Sequence, residues 1–307
     1  MSEKIEMSEE DYLKKHIEET EKSVISAPKS QSKEFSRTEE LQFFNFDVKD
    51  LPCGKFYTNG TMFAVRAAQV KEIQAYSMVD DNNYYDMIEK MNDMLQSCIR
   101  VKHANGEVGS FLDIKDPDRF YLIFLLRELT FEQGNMLSVN KKCTCGTENQ
   151  LELKRENFKL ILNNPLLDKY FVKNRNSFIF KLTNNEEFEL APPTIGIQKS
   201  FASYILRENN EGRPPELSFL KIIPFMLPGQ TSISYEGIKS KLTEFQKMSE
   251  ISFQFLNDVV SKMTFGIECI SKQCVSCGME VRSDMQFPNG ASGIFVIHNA
   301  FEAFIKK

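Results

Sequence analysis

The sequence of 307 residues contains no tryptophan, only three histidines and no long hydrophobic run. Its longest apolar run, Phe120 to Leu126, stops at Arg127, whereas a helix that spans a membrane needs roughly 20 residues. The acidic, polar start has none of the features of a secretory signal. These absences predict a protein that is made inside the cell and has no membrane segment.

Motifs that mark the common enzyme classes are also missing. The sequence contains no G-x-x-x-x-G-K-[ST], G-x-G-x-x-G, H-E-x-x-H or G-x-S-x-G pattern. The histidines, His16, His103 and His298, are scattered along the chain, and we interpret Asp80-Asp81 as the start of a helix rather than as paired catalytic carboxylates. We therefore expect no catalytic residue and no enzyme activity.

The charge is unevenly distributed. The chain has a net charge of −5 and a pI near 5.5, which argues against a protein that holds nucleic acid mainly through its phosphates. Residues 1–40 hold 11 acidic and seven basic residues, so they supply −4 of this charge. We predict that residues 1–41 are a disordered tail, or order only on a partner, with a short helix at Ser8 to Lys22 as a further option.

Two close cysteine pairs, each followed at once by glycine, carry the clearest chemistry. They are Cys143-Thr144-Cys145-Gly146 and Cys274-Val275-Ser276-Cys277-Gly278. Two hairpin turns that present four thiolates are typical of a structural zinc site, and four sulfur ligands leave no open position for catalysis. An odd total of seven cysteines without an export signal also favours metal over disulfides. We predict that Cys143, Cys145, Cys274 and Cys277 bind one structural Zn²⁺ ion.

The two pairs are far apart in the sequence, with 128 residues between Cys145 and Cys274. A zinc ion held by both pairs would therefore fasten the middle of the chain to its C-terminal part. Cys98 lies on the apolar face of a predicted helix and is interpreted as a buried thiol. Whether Cys53 or Cys269 adds a ligand stays open at this point.

Periodicity and turn signals predict an α+β fold: an N-terminal domain of mixed strands and helices and a helical block, joined by a split four-cysteine site like a zinc ribbon. Beyond the tail, the segments are 42–155, ending in the first cysteine turn; 156–264, mostly helical with one hairpin; and 265–307, with the second cysteine turn and a C-terminal helix at Gly293 to Lys307. Asn59-Gly60 predicts a hairpin turn. Phe120 to Leu129, preceded by Asp116-Pro117, predicts a central helix.

Several of these segments resemble one phage family. They are Leu51-Pro52-Cys53-Gly54-Lys55-Phe56-Tyr57, Val65-Arg66, the helix ending in Cys98-Ile99, Phe124 to Arg127 and the first cysteine strand. Together they look like the baseplate hub subunits and hub-assembly proteins of contractile-tailed, T-even-like bacteriophages, over roughly Phe43 to Leu153. Two departures are that Cys53 replaces the usual serine and that the opening motif is one residue shorter.

The resemblance implies a structural component or assembly factor of the central hub of the phage tail baseplate. Such a protein would be made in the cytoplasm of the bacterial host, reside in the virion tail baseplate and bind other baseplate or tail hub proteins. The alternative is a zinc-ribbon accessory protein that binds nucleic acid. Its basic face would consist of Lys141, Lys142, Lys154, Arg155, Lys272 and Arg282.

Overall fold

The computed structural model describes residues 42–131, 137–287 and 290–295, which combine helices with antiparallel strands, so the predicted α+β class is confirmed. The α-helices are α1 (Val70–Ser77), α2 (Tyr84–Cys98), α3 (Arg119–Thr130), α4 (Ile195–Asn210), α5 (Leu217–Ile222), α6 (Tyr235–Gln246) and α7 (Glu250–Lys262). The strands are β1 (Phe44–Asp47), β2 (Met62–Val65), β3 (Ile99–Lys102), β4 (Val108–Gly109), β5 (Ser138–Lys142), β6 (Glu148–Glu152), β7 (Phe158–Ile161), β8 (Phe171–Val172), β9 (Ser177–Lys181), β10 (Glu187–Leu190), β11 (Gly266–Gln273) and β12 (Glu280–Ser283).

The strands form small antiparallel sheets in which neighbouring strands follow one another along the chain, with one exception. Strands β1 to β4 lie in chain order, β5 pairs with β6, and the third sheet has the order β10-β9-β8. The exception is the sheet β12-β11-β7, in which Phe158 of β7 lies opposite Ile270 of β11. The segment just after the first cysteine hairpin is therefore hydrogen-bonded to the strand that leads to the second.

Helix α3 lies at the centre of the core, as its apolar sequence predicts. Pro117 lies in a 3-10 turn, Asp116–Asp118, directly before the helix, and every residue from Tyr121 to Arg127 is buried. A helix that is buried on all sides has to be surrounded by other elements. Its ring contacts include Phe124 against Phe158 of β7, so the helix supports the sheet that contains the second cysteine strand.

A hairpin at Asn59-Gly60 would make Leu51 to Tyr57 the strand that pairs with β2, but this motif is not a strand. Strand β2 pairs instead with β1, from Phe44 opposite Val65 to Asp47 opposite Met62, and the motif between them contains a 3-10 turn, Gly54–Phe56. The reason is a contact with the core, since the N–H of Cys53 and the hydroxyl of Tyr57 both donate to Asp118. The motif therefore folds over the start of α3.

Helix α2 ends earlier than its apolar period suggests. The periodicity predicts a helix to about Val101, but the helix ends at Cys98 and the chain continues as β3. In β3, Ile99 and Val101 are buried, while Arg100 and Lys102 are exposed. A short stretch whose apolar residues fit both periods takes the strand form here because β2 offers it a partner.

The segment 156–264 contains the predicted hairpin and helices. Strands β9 and β10 pair as expected, and the helical stretch before Met226 changes to a 3-10 turn, Ile223–Met226, at Pro224. The long helical pattern from Tyr235 is divided into α6 and α7 near Met248.

All the described residues belong to a compact unit that starts at Gln42. The division of this unit at residues 155 and 264 stays a prediction, and β7 and β11, which pair with each other, lie on either side of the second boundary. Residues 1–41, with the tail and the helix at Ser8 to Lys22, lie outside the described residues. The C-terminal helix does so as well, apart from Gly293 to Phe295, which belong to a 3-10 turn.

Candidate metal centre

The first cysteine pair lies in the turn between β5 and β6. The N–H of Cys143 donates to the carbonyl of Thr147 at 2.8 Å, and the N–H of Gly146 donates to the carbonyl of Cys143 at 2.9 Å. Gly146 has a φ of +92°, which glycine adopts without steric cost. This tight turn brings Cys143 and Cys145 to the same cluster of sulfurs.

The second pair lies in an equivalent turn between β11 and β12. The N–H of Cys274 donates to the carbonyl of Met279 at 2.8 Å, and the N–H of Gly278 donates to the carbonyl of Cys274 at 2.9 Å. Gly278 has a φ of +72°, so each cysteine pair is followed by a glycine with a positive φ. The extra residue in this pair lengthens the turn without changing how it closes.

The two turns face each other. The sulfurs of Cys143 and Cys277 are 3.7 Å apart, as are those of Cys145 and Cys274, and all four lie within 4.8 Å of one another. Four ligands at a Zn–S distance of about 2.3 Å form a tetrahedron with an edge of about 3.8 Å. The predicted ligands are therefore brought together, and they could hold a metal ion of this size.

Hydrogen bonds shift the pKa of Cys145, Cys274 and Cys277 in different directions. The N–H groups of Cys277 and Ser276 lower the pKa of the Cys274 thiol to about 6, and the hydroxyl and N–H of Thr147 lower the pKa of Cys145. The N–H of Met279 lowers the pKa of Cys277, but the neighbouring cysteine sulfurs outweigh it and raise that pKa to about 12. Four thiolates this close repel one another, so their joint ionisation needs a cation between them.

The remaining cysteines do not belong to this cluster. Cys53 is fully buried beside Asp118, and Cys98 is fully buried on α2, as predicted. Cys269 lies on β11 opposite Lys159 and is 7% exposed. The sulfurs close enough to share an ion, among the described residues, are those of the two pairs.

The basic face needed for nucleic acid is partly neutralised by carboxylates. Lys154 pairs with Glu152 at 2.8 Å, and Arg155 pairs with Glu128 at 2.7 Å. Arg282 pairs with Glu280 at 2.6 Å. Of the six basic residues, Lys141, Lys142 and Lys272 have no ion pair within the described part of the chain.

The two aspartates and one of the histidines make local contacts. The carboxylate of Asp80 accepts a hydrogen bond from the N–H of Asn82, and α2 is capped by Asn83. Asp81 accepts hydrogen bonds from Ser292. The imidazole Nε2 of His103 lies 3.7 Å from Asp113, while His16 and His298 lie outside the described residues.

The sequence patterns missed Asn149, a residue of β6 that is only 3% exposed. Its amide contacts both cysteine turns, because its nitrogen donates to the carbonyl of Thr147 and its oxygen accepts a hydrogen bond from the N–H of Val275. The one available signal is strand alternation, which places Asn149 on the same side of β6 as the buried Leu151. A polar residue at such an inward position needs hydrogen-bond partners.

No protein-family model, curated protein or solved structure matches the chain. Within the described residues, the helices are all too short or too polar to cross a membrane.

Proposed function

We propose that the chain is a structural protein of the contractile phage tail, as a component or assembly factor of the central hub of the baseplate. It would act through protein–protein contacts with other baseplate and tail hub proteins. In this proposal Cys143, Cys145, Cys274 and Cys277 bind a structural Zn²⁺ ion. The observation that supports the metal site is the convergence of four sulfurs within 4.8 Å from two hairpins far apart in the sequence, and the phage role rests on the sequence resemblance.

The ligand set favours a structural role for the metal. Four cysteine sulfurs would occupy all four positions of a tetrahedral zinc ion, which leaves none for water or substrate. The ion would instead close a loop of more than a hundred residues. In the chain-entropy model, such a closure removes denatured-state entropy worth roughly 4 to 5 kcal/mol.

The residues behind the phage resemblance support a structural reading as well. Leu51, Cys98, Ile99 and Phe124 are each at most 1% exposed, and the motif from Leu51 to Tyr57 packs over the start of α3. These four residues are therefore residues of the core. They are compatible with a common scaffold, and the contacts that distinguish a hub subunit from an assembly factor would lie elsewhere on the surface.

The proposal is tested by mass spectrometry of purified phage particles. A tagged chain is also purified by affinity from infected cells that are harvested before the phage lyses them. We expect named baseplate or tail hub proteins to co-purify in fixed ratios. Presence in mature particles would identify a hub component, whereas association only before particle maturation would identify an assembly factor. The same purified protein should contain one zinc per chain by elemental analysis.

Two results would contradict the proposal. One is the absence of tail proteins at both stages. The other is tight binding of DNA whose affinity falls steeply with salt, which the nucleic-acid alternative predicts. The three paired basic side chains around the cysteine turns favour the first function over this alternative.

A further inference from the structure

Asn149 is a buried amide in a strand, a setting in which asparagine is depleted. It lies opposite Lys141 in the β5–β6 hairpin, six residues after Cys143. Buried polar side chains persist where their hydrogen bonds are made. The partners of Asn149 therefore explain why the chain keeps an amide at this position.

Both ends of the amide are used, and they reach different cysteine turns. The side-chain nitrogen donates to the carbonyl of Thr147 at 3.0 Å, and this carbonyl also accepts the N–H of Cys143 that closes the first turn. The side-chain oxygen accepts the N–H of Val275 in the second turn at 3.1 Å. The same nitrogen lies 3.5 Å from the sulfur of Cys274, within reach of a hydrogen bond.

We propose that Asn149 is a positioning residue that holds the two cysteine turns in register and slows the loss of the metal ion. The inference rests on the proposed metal centre. A donor to a metal-bound thiolate and a link between turns both favour the geometry in which four sulfurs meet. Residues that orient metal ligands in this way typically change metal affinity about 10- to 100-fold when they are replaced.

The position requires an amide in particular. Thr147 offers an oxygen and Cys274 a sulfur, both acceptors, while Val275 offers a donor. A carboxylate of the same shape could still accept from Val275, but its second oxygen would face the carbonyl of Thr147 and the thiolate of Cys274, which are both acceptors. Asn149→Asp therefore keeps the volume of the side chain but replaces its donor with an acceptor. Asn149→Ala removes both the donor and the acceptor.

The experiment uses the full chain loaded with Zn²⁺ or Co²⁺. It measures the rate of Zn²⁺ transfer to a chromogenic chelator and the absorption spectrum of the Co²⁺ form. The matched control is Asn140→Ala, because Asn140 is an exposed asparagine on the neighbouring strand with no side-chain hydrogen bond among the described residues. Denaturation of the metal-free proteins reports any loss of stability that is independent of metal.

We expect Asn149→Ala to release Zn²⁺ about 10-fold or more faster than the control. Asn149→Asp should release it faster still, and both should keep the four-sulfur Co²⁺ spectrum. Release rates within twofold of the control would overturn the inference while leaving the metal centre intact. Failure of both variants to fold in excess Zn²⁺ would also overturn it, because Asn149 would then be needed for the fold itself. If the unaltered chain binds neither ion, the proposed metal centre fails first.

Discussion

The hydroxyl of Tyr57 donates a hydrogen bond to the carboxylate of Asp118 at 2.8 Å, and both residues lie in the core. The N–H of Cys53 donates to the other carboxylate oxygen at 2.8 Å. The Tyr57 oxygen in turn accepts the N–H of Lys115. This network attaches the motif from Leu51 to Tyr57 to the start of α3, and its one carboxylate is completely buried.

Asp118 should make stability depend on pH. Burial raises its pKa to about 7, against the lowering effects of the Cys53 and Tyr57 hydrogen bonds and of Lys115. Between its unfolded pKa of about 3.9 and this value, the folded protein binds one more proton than the unfolded chain. The stability that the protonated Asp118 contributes is fully present below the unfolded pKa and is lost as pH rises through the folded pKa of about 7. We expect the free energy of unfolding to fall between pH 5 and pH 8, by at most about 1.4 kcal/mol per pH unit.

Denaturant titrations of wild type and Asp118→Asn over this pH range check the prediction. The neutral amide keeps an acceptor for Cys53 but loses one for Tyr57, so the variant should be less stable than wild type at pH 5. The difference in the free energy of unfolding between the two proteins should become smaller toward pH 8, because wild type then carries a buried charge. Parallel curves for the two proteins would show that Asp118 does not cause the pH dependence.

Removal of the proposed metal should weaken the whole fold. Cys274→Ser deletes one sulfur of the cluster, and we expect little bound zinc and a loss of stability approaching the roughly 4 to 5 kcal/mol of loop closure. A strong chelator should lower the denaturation midpoint of wild type toward that of the variant. Elemental analysis and denaturant titration measure the two effects.

Ser276→Ala is the matched control for this change, since Ser276 lies in the same turn and is exposed. It should keep both its zinc and its stability. If Cys274→Ser kept its full metal content and an unchanged denaturation midpoint, the four-cysteine site would not stabilise this fold.

The local features were the ones that the sequence could predict. The apolar stretch after Asp116-Pro117 predicts α3, and the close cysteine pairs followed by glycine predict the two hairpin turns. The four cysteines were predicted as one site because hairpin turns with this spacing favour a shared ion. Each cysteine pair is a local signal, and only the chemistry that the two pairs share links them across the 128 residues between Cys145 and Cys274.

Other contacts between distant segments have no such chemical signal in the sequence. The pairing of β7 with β11 joins Phe158 to Ile270, and neither strand carries a pattern that names its partner. Strand propensity depends strongly on context. The sequence of β3 therefore predicts the end of a helix, although it forms a strand. Asn149 was missed because two of its partners, Cys274 and Val275, lie on the far side of the 128 residues that separate the cysteine pairs.

The carboxylate of Asp81 anchors the described residues nearest the C-terminus. It accepts the N–H of Ser292 at 2.9 Å and its hydroxyl at 2.7 Å, and these bonds lower the pKa of Asp81. We expect Asp81→Ala to accelerate amide hydrogen exchange at Ser292 severalfold, because the acceptor of this N–H is lost. Asp50→Ala is the control, since Asp50 is exposed and has no side-chain bond among the described residues. Equal exchange in both variants would mean that Asp81 does not hold this segment.

The ammonium group of Lys55 lies among phenylalanine rings. It is 5.3 Å from the ring centres of Phe171 and Phe178 and 5.5 Å from those of Phe56 and Phe265. It also pairs with Asp168 at 2.7 Å, and its side chain is 22% exposed. A cation over aromatic faces is attracted by the ring quadrupole, most strongly where water is largely excluded.

Replacement of Lys55 should therefore cost more than replacement of a lysine that contacts one ring. Lys55→Met keeps the aliphatic part of the side chain and removes the ammonium group together with its ion pair to Asp168, so we expect a loss of about 1 to 2 kcal/mol in the free energy of unfolding. Lys169→Met is the control, because Lys169 is exposed and lies 5.0 Å from the single ring of Tyr170. Urea denaturation at constant pH measures both. Equal midpoints for the two variants would mean that the four rings contribute to packing but do not stabilise the charge.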